Sequence, residues 1–234
     1  MSAPLPAVAI LAGGLATRMR PLTERIPKSL VPVAGRPFLA HQLDLLRSQG
    51  VLRAVLCVGH LGDQIEAAFG NGRACGVELV YSYDGASLAG TAGALRRALP
   101  LLEPEFFTLY GDSYLEIDYR KAWETFRRQA APALMTVIPR ELATEPANAW
   151  YESGRVRAYN KGTPQPEMRH VDYGLSLFTA EALRSSGDMA DISELQSRLA
   201  RDGQLAGHEV TQRYFEIGSH QGLADLESHL KARA

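Results

Sequence analysis

The stretch Ile10 to Val33, ILAGGLATRMRPLTERIPKSLVPV, constrains this chain more than any other. An apolar run ending at Leu11 passes into a Gly13-Gly14 pair and then into a loop carrying Arg18, Arg20, Arg25 and Lys28, opposed by the single acid Glu24. A short apolar run of this kind suits an inner strand of a parallel sheet. Glycines at its end let backbone N–H groups approach an anion, and arginine adds a planar fork of donors that matches phosphate oxygens. Four cations within eleven positions, in a chain whose formal net charge is only -1, describe a local anion site. A solvated basic surface loop is the alternative that these residues alone leave open.

The overall balance of 25 Lys plus Arg against 26 Asp plus Glu argues against a nucleic-acid or anionic-membrane partner, which requires a large excess of positive charge. No run of about 18 apolar residues occurs, and Pro4, Pro6, Gly13 and Gly14 interrupt the N-terminal apolar stretch, so a cytoplasmic protein is expected. Cys57 and Cys75 stand in neither a CxxC nor a Cys/His metal spacing, so reduced thiols are expected.

Strand-like and helix-like pieces alternate from the start: strands at Ala7 to Leu11, Arg53 to Val58, Val77 to Tyr83 and Phe106 to Tyr110. Helices are expected after Pro37 as far as Gly50, at Leu61 to Phe69 and at Thr91 to Leu99. This rhythm gives an α/β fold, a Rossmann-like, mostly parallel central sheet with helices on both faces, whose ligands sit beyond the C-terminal strand ends. Tyr119 to Gln129 continues as a helix and Ala133 to Ile138 as a strand. Beyond Arg140 the pieces shorten into a small antiparallel subregion, with a hairpin turning at Ser153-Gly154 and a strand from Gly174 to Thr179. A helix from Asp191 to Arg201, a final strand pair within Leu205 to Ile217 and a helix from Leu223 to Ala232 complete the expectation. Without a linker or repeat, residues 1–234 read as one domain, with a nucleotide-binding half to about residue 139 and a second-substrate half from about residue 140.

Neither a Walker A spacing nor a GxGxxG fingerprint follows Gly13. The run Leu11-Ala12-Gly13-Gly14-Leu15-Ala16-Thr17-Arg18, with Arg20-Pro21-Leu22-Thr23 and Pro27-Lys28-Ser29-Leu30-Val31-Pro32-Val33, instead closely resembles the signature LAGGxGTRxxPLT…PKxLxPV of sugar-1-phosphate nucleotidyltransferases. Ala16 stands where that family usually has glycine, and a left-handed backbone there would cost about 1 kcal/mol or more. Gly90-Thr91-Ala92-Gly93-Ala94-Leu95 is similar to the family's segment beside the nucleotide, and Gly111-Asp112 to its metal-binding GD. Tyr159-Asn160-Lys161 resembles the (E)KP element whose lysine contacts the sugar phosphate, with Asn160 for Glu and Gly162 for Pro. Asp172-Tyr173-Gly174 stands where relatives often carry a sugar-holding Asn-x-Gly, and Tyr214 to Ser219 is similar to WxDIGT, with Glu216 in place of the second metal-binding Asp. The short form resembles heptose-1-phosphate guanylyltransferases and N-acetylmuramate-1-phosphate uridylyltransferases. The few residues after Glu216 lead one to expect no C-terminal β-helix.

The resemblance implies a nucleotide-diphospho-sugar transferase fold and transfer of a nucleotidyl group from an NTP to a sugar 1-phosphate. A sugar phosphate is already largely dianionic at neutral pH, so the difficulty is charge repulsion and calls for cations instead of a base. The implied roles are Mg²⁺ on Asp112 and Glu216, catalytic Arg18 and Lys28, and sugar-phosphate contacts from Lys161, Asp172 and Gly174. Leu11, Ala12, Gly13, Gly14, Thr17, Gly90, Thr91, Ala92 and Gly93 would face the nucleotide in a monomer or homodimer. Two readings stand beside it: a cytidylyltransferase acting on a non-sugar phosphate such as phosphocholine, and a non-catalytic nucleotide- or sugar-phosphate-binding regulatory domain.

Overall fold

Apolar strands flanked by amphipathic helices have to bury two sheet faces, and the chain does so with helices on each. The structure is a computed structural model that describes residues 4–85 and 88–233. Strand β1 (Val8–Leu11) leads into the cationic loop, which winds through three short 3-10 turns before a tiny hairpin, β2 (Pro32–Val33) and β3 (Arg36–Pro37). Helix α1 (Phe38–Ser48), β4 (Arg53–Val58), α2 (Gly62–Phe69), β5 (Glu78–Tyr83), α3 (Gly90–Ala98) and β6 (Glu105–Tyr110) follow. Then come β7 (Ser113–Tyr114), α4 (Tyr119–Gln129), β8 (Ala133–Pro139), the hairpin β9 (Ala149–Glu152) and β10 (Arg155–Tyr159), and β11 (His170–Thr179). The chain closes with α5 (Ala180–Arg184), α6 (Ile192–Arg201), β12 (Leu205–Glu209), β13 (Phe215–Glu216) and α7 (His220–Lys231).

Among the described residues nine strands form one sheet in the order β5-β4-β1-β6-β11-β8-β12-β10-β9. The run β5-β4-β1-β6 is parallel, β8 and β12 pair in parallel, and β11 and β10 run against their neighbours. The mostly parallel sheet is therefore as expected. Leu39, Leu43 and Leu46 of α1, Ile65 of α2 and Phe126 of α4 pack on one face. Ala94 and Leu95 of α3, Leu183 of α5 and Leu195 and Leu199 of α6 cover the other. A third small cluster joins Phe38, Tyr114, Phe215, Ile217 and Leu226, fastening α7 beside the hairpin β2–β3.

Three expectations change. The stretch from Leu205 to Ile217 is not a strand pair: β12 pairs with β8, while β13 pairs across the molecule with β7 at Phe215↔Tyr114 and Glu216↔Ser113. Strand β11 begins four residues before Gly174, because the irregular register between Asp172 and Ser176, with φ +103° at Gly174, lets the strand bend and continue. Helix α5 lay unread between β11 and α6, and the Thr179 hydroxyl starts it by accepting from Ala182 N–H.

Candidate active site

The site gathers where β1 and β6 end side by side. Leu11 pairs with Tyr110, and Gly111 N–H donates to Leu11 C=O at 2.9 Å. A Cβ on Gly111 would stand 2.9 Å from that oxygen, so only glycine lets the two strand ends meet this closely. Beyond them lies a cavity of about 250 Å³. Leu11, Ala12, Gly13, Gly14, Lys28, Gly90, Thr91 and Asp112, all expected at the site, line it. Thr17, Ala92 and Gly93, expected beside the nucleotide, do not: Thr17 opens a 3-10 turn further along the loop, and Ala92 is buried, with its N–H donating to Ala190 C=O.

The cationic loop reaches Asp112 directly. Lys28 Nζ lies 2.8 Å from Asp112 Oδ2, with the two side chains 17% and 23% exposed, which is partial shelter and strengthens the pair over a surface one. Asp112 C=O accepts from Ile217 N–H at 3.0 Å, so the turn bearing Asp112 and the strand bearing Glu216 are bonded to each other. Much of Glu216 remains open to solvent, yet partial burial first, then the Asp112 and Glu145 carboxylates, push its carboxyl up to about 7 against the opposing pull of Lys28. Two hard oxygen donors that repel each other fit a divalent cation, which relieves that crowding. No group of three or more His, Cys, Asp or Glu side chains able to hold a metal occurs among the described residues, so phosphate or water oxygens would have to complete the coordination.

Arg18 stands outside this cavity, lining with Glu216, Tyr214 and Ser219 a second one of about 350 Å³. A Cβ on Gly218 would lie 3.5 Å from Arg18 Nη2 and 3.8 Å from Asp112 Oδ2, so Gly218 has both the guanidinium and the carboxylate beside it. Its loop is bent at Ala16, whose φ of 47° and ψ of 42° are left-handed; Ala16 C=O accepts from Met19 N–H and from the Thr23 hydroxyl at 2.8 Å. Lys161 comes from the far half of the chain. Its ammonium donates to the Tyr110 hydroxyl at 3.3 Å and lies 5.4 Å from that ring's centroid.

A family model described as Nucleotidyl transferase matches residues 7–157, more than half of the chain. The chain belongs to the nucleotidyl transferase family. It is 43% identical over 117 residues to N-acetylmuramate alpha-1-phosphate uridylyltransferase of Neisseria meningitidis serogroup B, covering 50% of this chain and 51% of that one. It is 28% identical over 236 residues to mannose-1-phosphate guanylyltransferase of Mycobacterium tuberculosis, covering 93% and 63%. The chain thus spans about half to under two thirds of the length of these curated relatives. The crystal structure of HddC from Yersinia pseudotuberculosis shares the fold, with a TM-score of 0.82 at 22% identity, covering 97% of this chain and 100% of that one.

In this member of the nucleotidyl transferase family, two residues of the first cavity stand in no recognised motif. Asp84 and Cys57 line the first cavity, and a Cβ on Gly13 would lie 3.1 Å from Asp84 Oδ2. Burial pushes the Asp84 carboxyl up, while the Ala89 N–H and Arg97 oppose the shift. Asp84 directly follows β5 without a recognised motif, and its approach to Gly13 brings it to the cavity. Thr91 lines this cavity, and its hydroxyl also ties two helices: it donates to Asp191 Oδ1 at 3.3 Å and accepts from Ile192 N–H at 2.8 Å. Asp191 caps α6 and accepts from Ser193 N–H. Gly90 makes that junction possible, with φ +70° and Ala190 C=O 2.4 Å from where a Cβ would stand. Gly90→Ala, with a backbone clash added to left-handed strain, is expected to destabilise the fold by about 2 kcal/mol or more in urea denaturation.

Asp172, expected at the sugar phosphate, also makes contacts within the protein. Its Oδ2 accepts from the Tyr159 hydroxyl at 2.8 Å and its Oδ1 from Gly174 N–H at 3.0 Å. Burial raises its carboxyl above the usual 3.8, against the pull of Lys161 and these two hydrogen bonds. A carboxyl raised on folding stabilises the fold when protonated and loses that contribution as pH climbs through the folded value. Asp172→Asn is therefore expected to raise the urea midpoint at pH 7, with the gain shrinking as pH falls towards 3.8. A gain that is flat across this range would contradict the burial cost.

Proposed function

We propose that this chain transfers a nucleotidyl group from an NTP to a sugar 1-phosphate, forming an NDP-sugar and releasing pyrophosphate. The observation that carries the reading is the meeting of Lys28, Asp112 and the strand of Glu216 at a glycine-walled cavity, with Lys161 bonded to Tyr110, which lines the same cavity. The family membership and the names of the relatives, which act on sugar 1-phosphates, support the same chemistry.

In-line attack by a phosphate dianion on the α-phosphorus needs charge neutralisation at both anions. Asp112 and Glu216 would hold Mg²⁺, which supplies Lewis-acid neutralisation of phosphate oxygens when bound. The chain's own groups do the rest. Gly13 and Gly14 let the backbone approach the nucleotide, Arg18 and Lys28 balance the triphosphate and the departing pyrophosphate, and Lys161 orients the incoming phosphate. Tyr110, between the cavity and Lys161, aims that ammonium with its hydroxyl and ring face.

The other readings fit the site less well. A phosphocholine acceptor wants an electron-rich box for its quaternary ammonium, whereas the Tyr159 hydroxyl and Asp172 are bonded to each other and Lys161 brings a like charge. A regulatory domain would not need Lys28, Asp112, Lys161 and Glu216 to be kept together. No helix among the described residues is long and apolar enough to cross a membrane. The test is a pyrophosphate-release screen of the purified protein with Mg²⁺, the common NTPs and a panel of sugar 1-phosphates. Release with at least one pair is expected, and silence across the panel from folded protein would favour the regulatory reading.

A further inference from the structure

Helix α1 carries one polar residue into the core, and it points at the metal turn. Gln42 is only 2% exposed, on the face that buries Phe38, Leu39, Leu43 and Leu46. A primary amide in an apolar stripe costs free energy unless its hydrogens find acceptors. Here Nε2 donates to Tyr110 C=O at 3.1 Å and to Ser113 C=O at 2.8 Å. Those two carbonyls bracket Gly111-Asp112. Two backbone groups within the turn are held from other sides, Gly111 N–H by Leu11 C=O and Asp112 C=O by Ile217 N–H. The helix that presents Gln42 is itself tied to the cationic loop, since Phe38 N–H donates to Val31 C=O at 3.0 Å.

We propose that Gln42 is a positioning residue for Asp112: its amide clamps both carbonyls flanking the turn, and so fixes the Asp112 carboxylate relative to Lys28 and Glu216. The inference rests on reading Asp112 as a metal ligand. Gln42 touches neither nucleotide nor sugar in this account and acts only through the turn. A carboxylate whose backbone can tilt loses the geometry a small divalent ion demands, so the deficit falls on metal affinity before it falls on chemistry.

The fold supplies a matched control. Gln196 is also 2% exposed, also leaves Oε1 unpartnered, and donates to the Ser176 hydroxyl at 3.0 Å on the α6 side of the sheet. In Gln42→Met, Mn²⁺ affinity, measured by electron paramagnetic resonance with Mn²⁺ as the probe, is expected to fall about tenfold. Hydrogen exchange at the Gly111 and Ile217 amides should quicken, and the Mg²⁺ concentration needed for half-maximal pyrophosphate release should rise, with saturating Mg²⁺ restoring most of the turnover. Gln196→Met should leave all three unchanged. Unchanged Mn²⁺ affinity in Gln42→Met, or an equal loss in Gln196→Met, would overturn the inference while pyrophosphate release by the unaltered protein left the proposed activity standing. A protein silent in release whose Mn²⁺ affinity still falls in Gln42→Met would do the reverse. If Gln42→Met does not fold, Gln42→Asn, which retracts the same amide by one methylene, carries the test with the same sign.

Discussion

Asp112→Asn is expected to lower turnover by about two orders of magnitude or more, with the thermal midpoint nearly unchanged. The substitution keeps the shape of the side chain and removes one unit of charge at the point where Lys28 and the Glu216 strand converge. The stability cost is small because Lys28 keeps partial access to water and can be solvated when its partner goes. The expected catalytic cost is large because a neutral amide cannot replace a carboxylate as a hard ligand for the divalent ion that Asp112 would hold under the proposed function. Initial rates of pyrophosphate release at saturating substrates, set against a melting curve, separate the two. Rates like those of the unaltered protein would remove Asp112 from the chemistry.

Arg18→Ala is expected to cost a similar factor, about two orders of magnitude, for a different reason. Arg18 is exposed, and among the described residues its side chain makes no hydrogen bond or ion pair with the protein. Nothing in the fold needs the guanidinium, so the denaturation midpoint should hold. Its place beside Gly218 and Asp112 suits an anion that gains charge as pyrophosphate departs. Stabilisation of developing charge appears in turnover more than in KM, and a loss confined to KM would assign Arg18 to ground-state binding instead.

The parts of this molecule readable in the sequence are those with strong local signals. The parallel run β5-β4-β1-β6 was legible because apolar strands alternate with helices stopped by Gly50, Gly70 and Pro100, and the cationic loop because its spacing is dense. The far half was harder. Whether the chain from Leu205 to Ile217 pairs with itself or with Ser113–Tyr114 depends on contacts about a hundred residues apart, which no local pattern records. The same holds for side-chain roles. Tyr159 and Gly174 each donate to one oxygen of Asp172, and the hydroxyl of Thr91, which lines the cavity, ties α3 to α6; none of these contacts is visible in a local pattern. Ala16 is the converse case. The suspected left-handed backbone is present, and two hydrogen bonds to its carbonyl help hold the bend that alanine resists.

Under the proposed function, Lys28, Asp112 and Glu216 serve transfer of a nucleotidyl group to a sugar phosphate. Phosphorus NMR of the protein with Mg²⁺ and the NTP and sugar 1-phosphate pair found by the release screen tests it most directly. The sugar-phosphate resonance and the three NTP resonances are expected to give way together to a coupled diphosphate pair and free pyrophosphate, and Asp112→Asn to leave the spectrum unchanged on the same timescale. Appearance of inorganic phosphate and NDP with the sugar phosphate untouched would contradict it, because that outcome is hydrolysis at the γ-phosphate and not transfer at the α-phosphate.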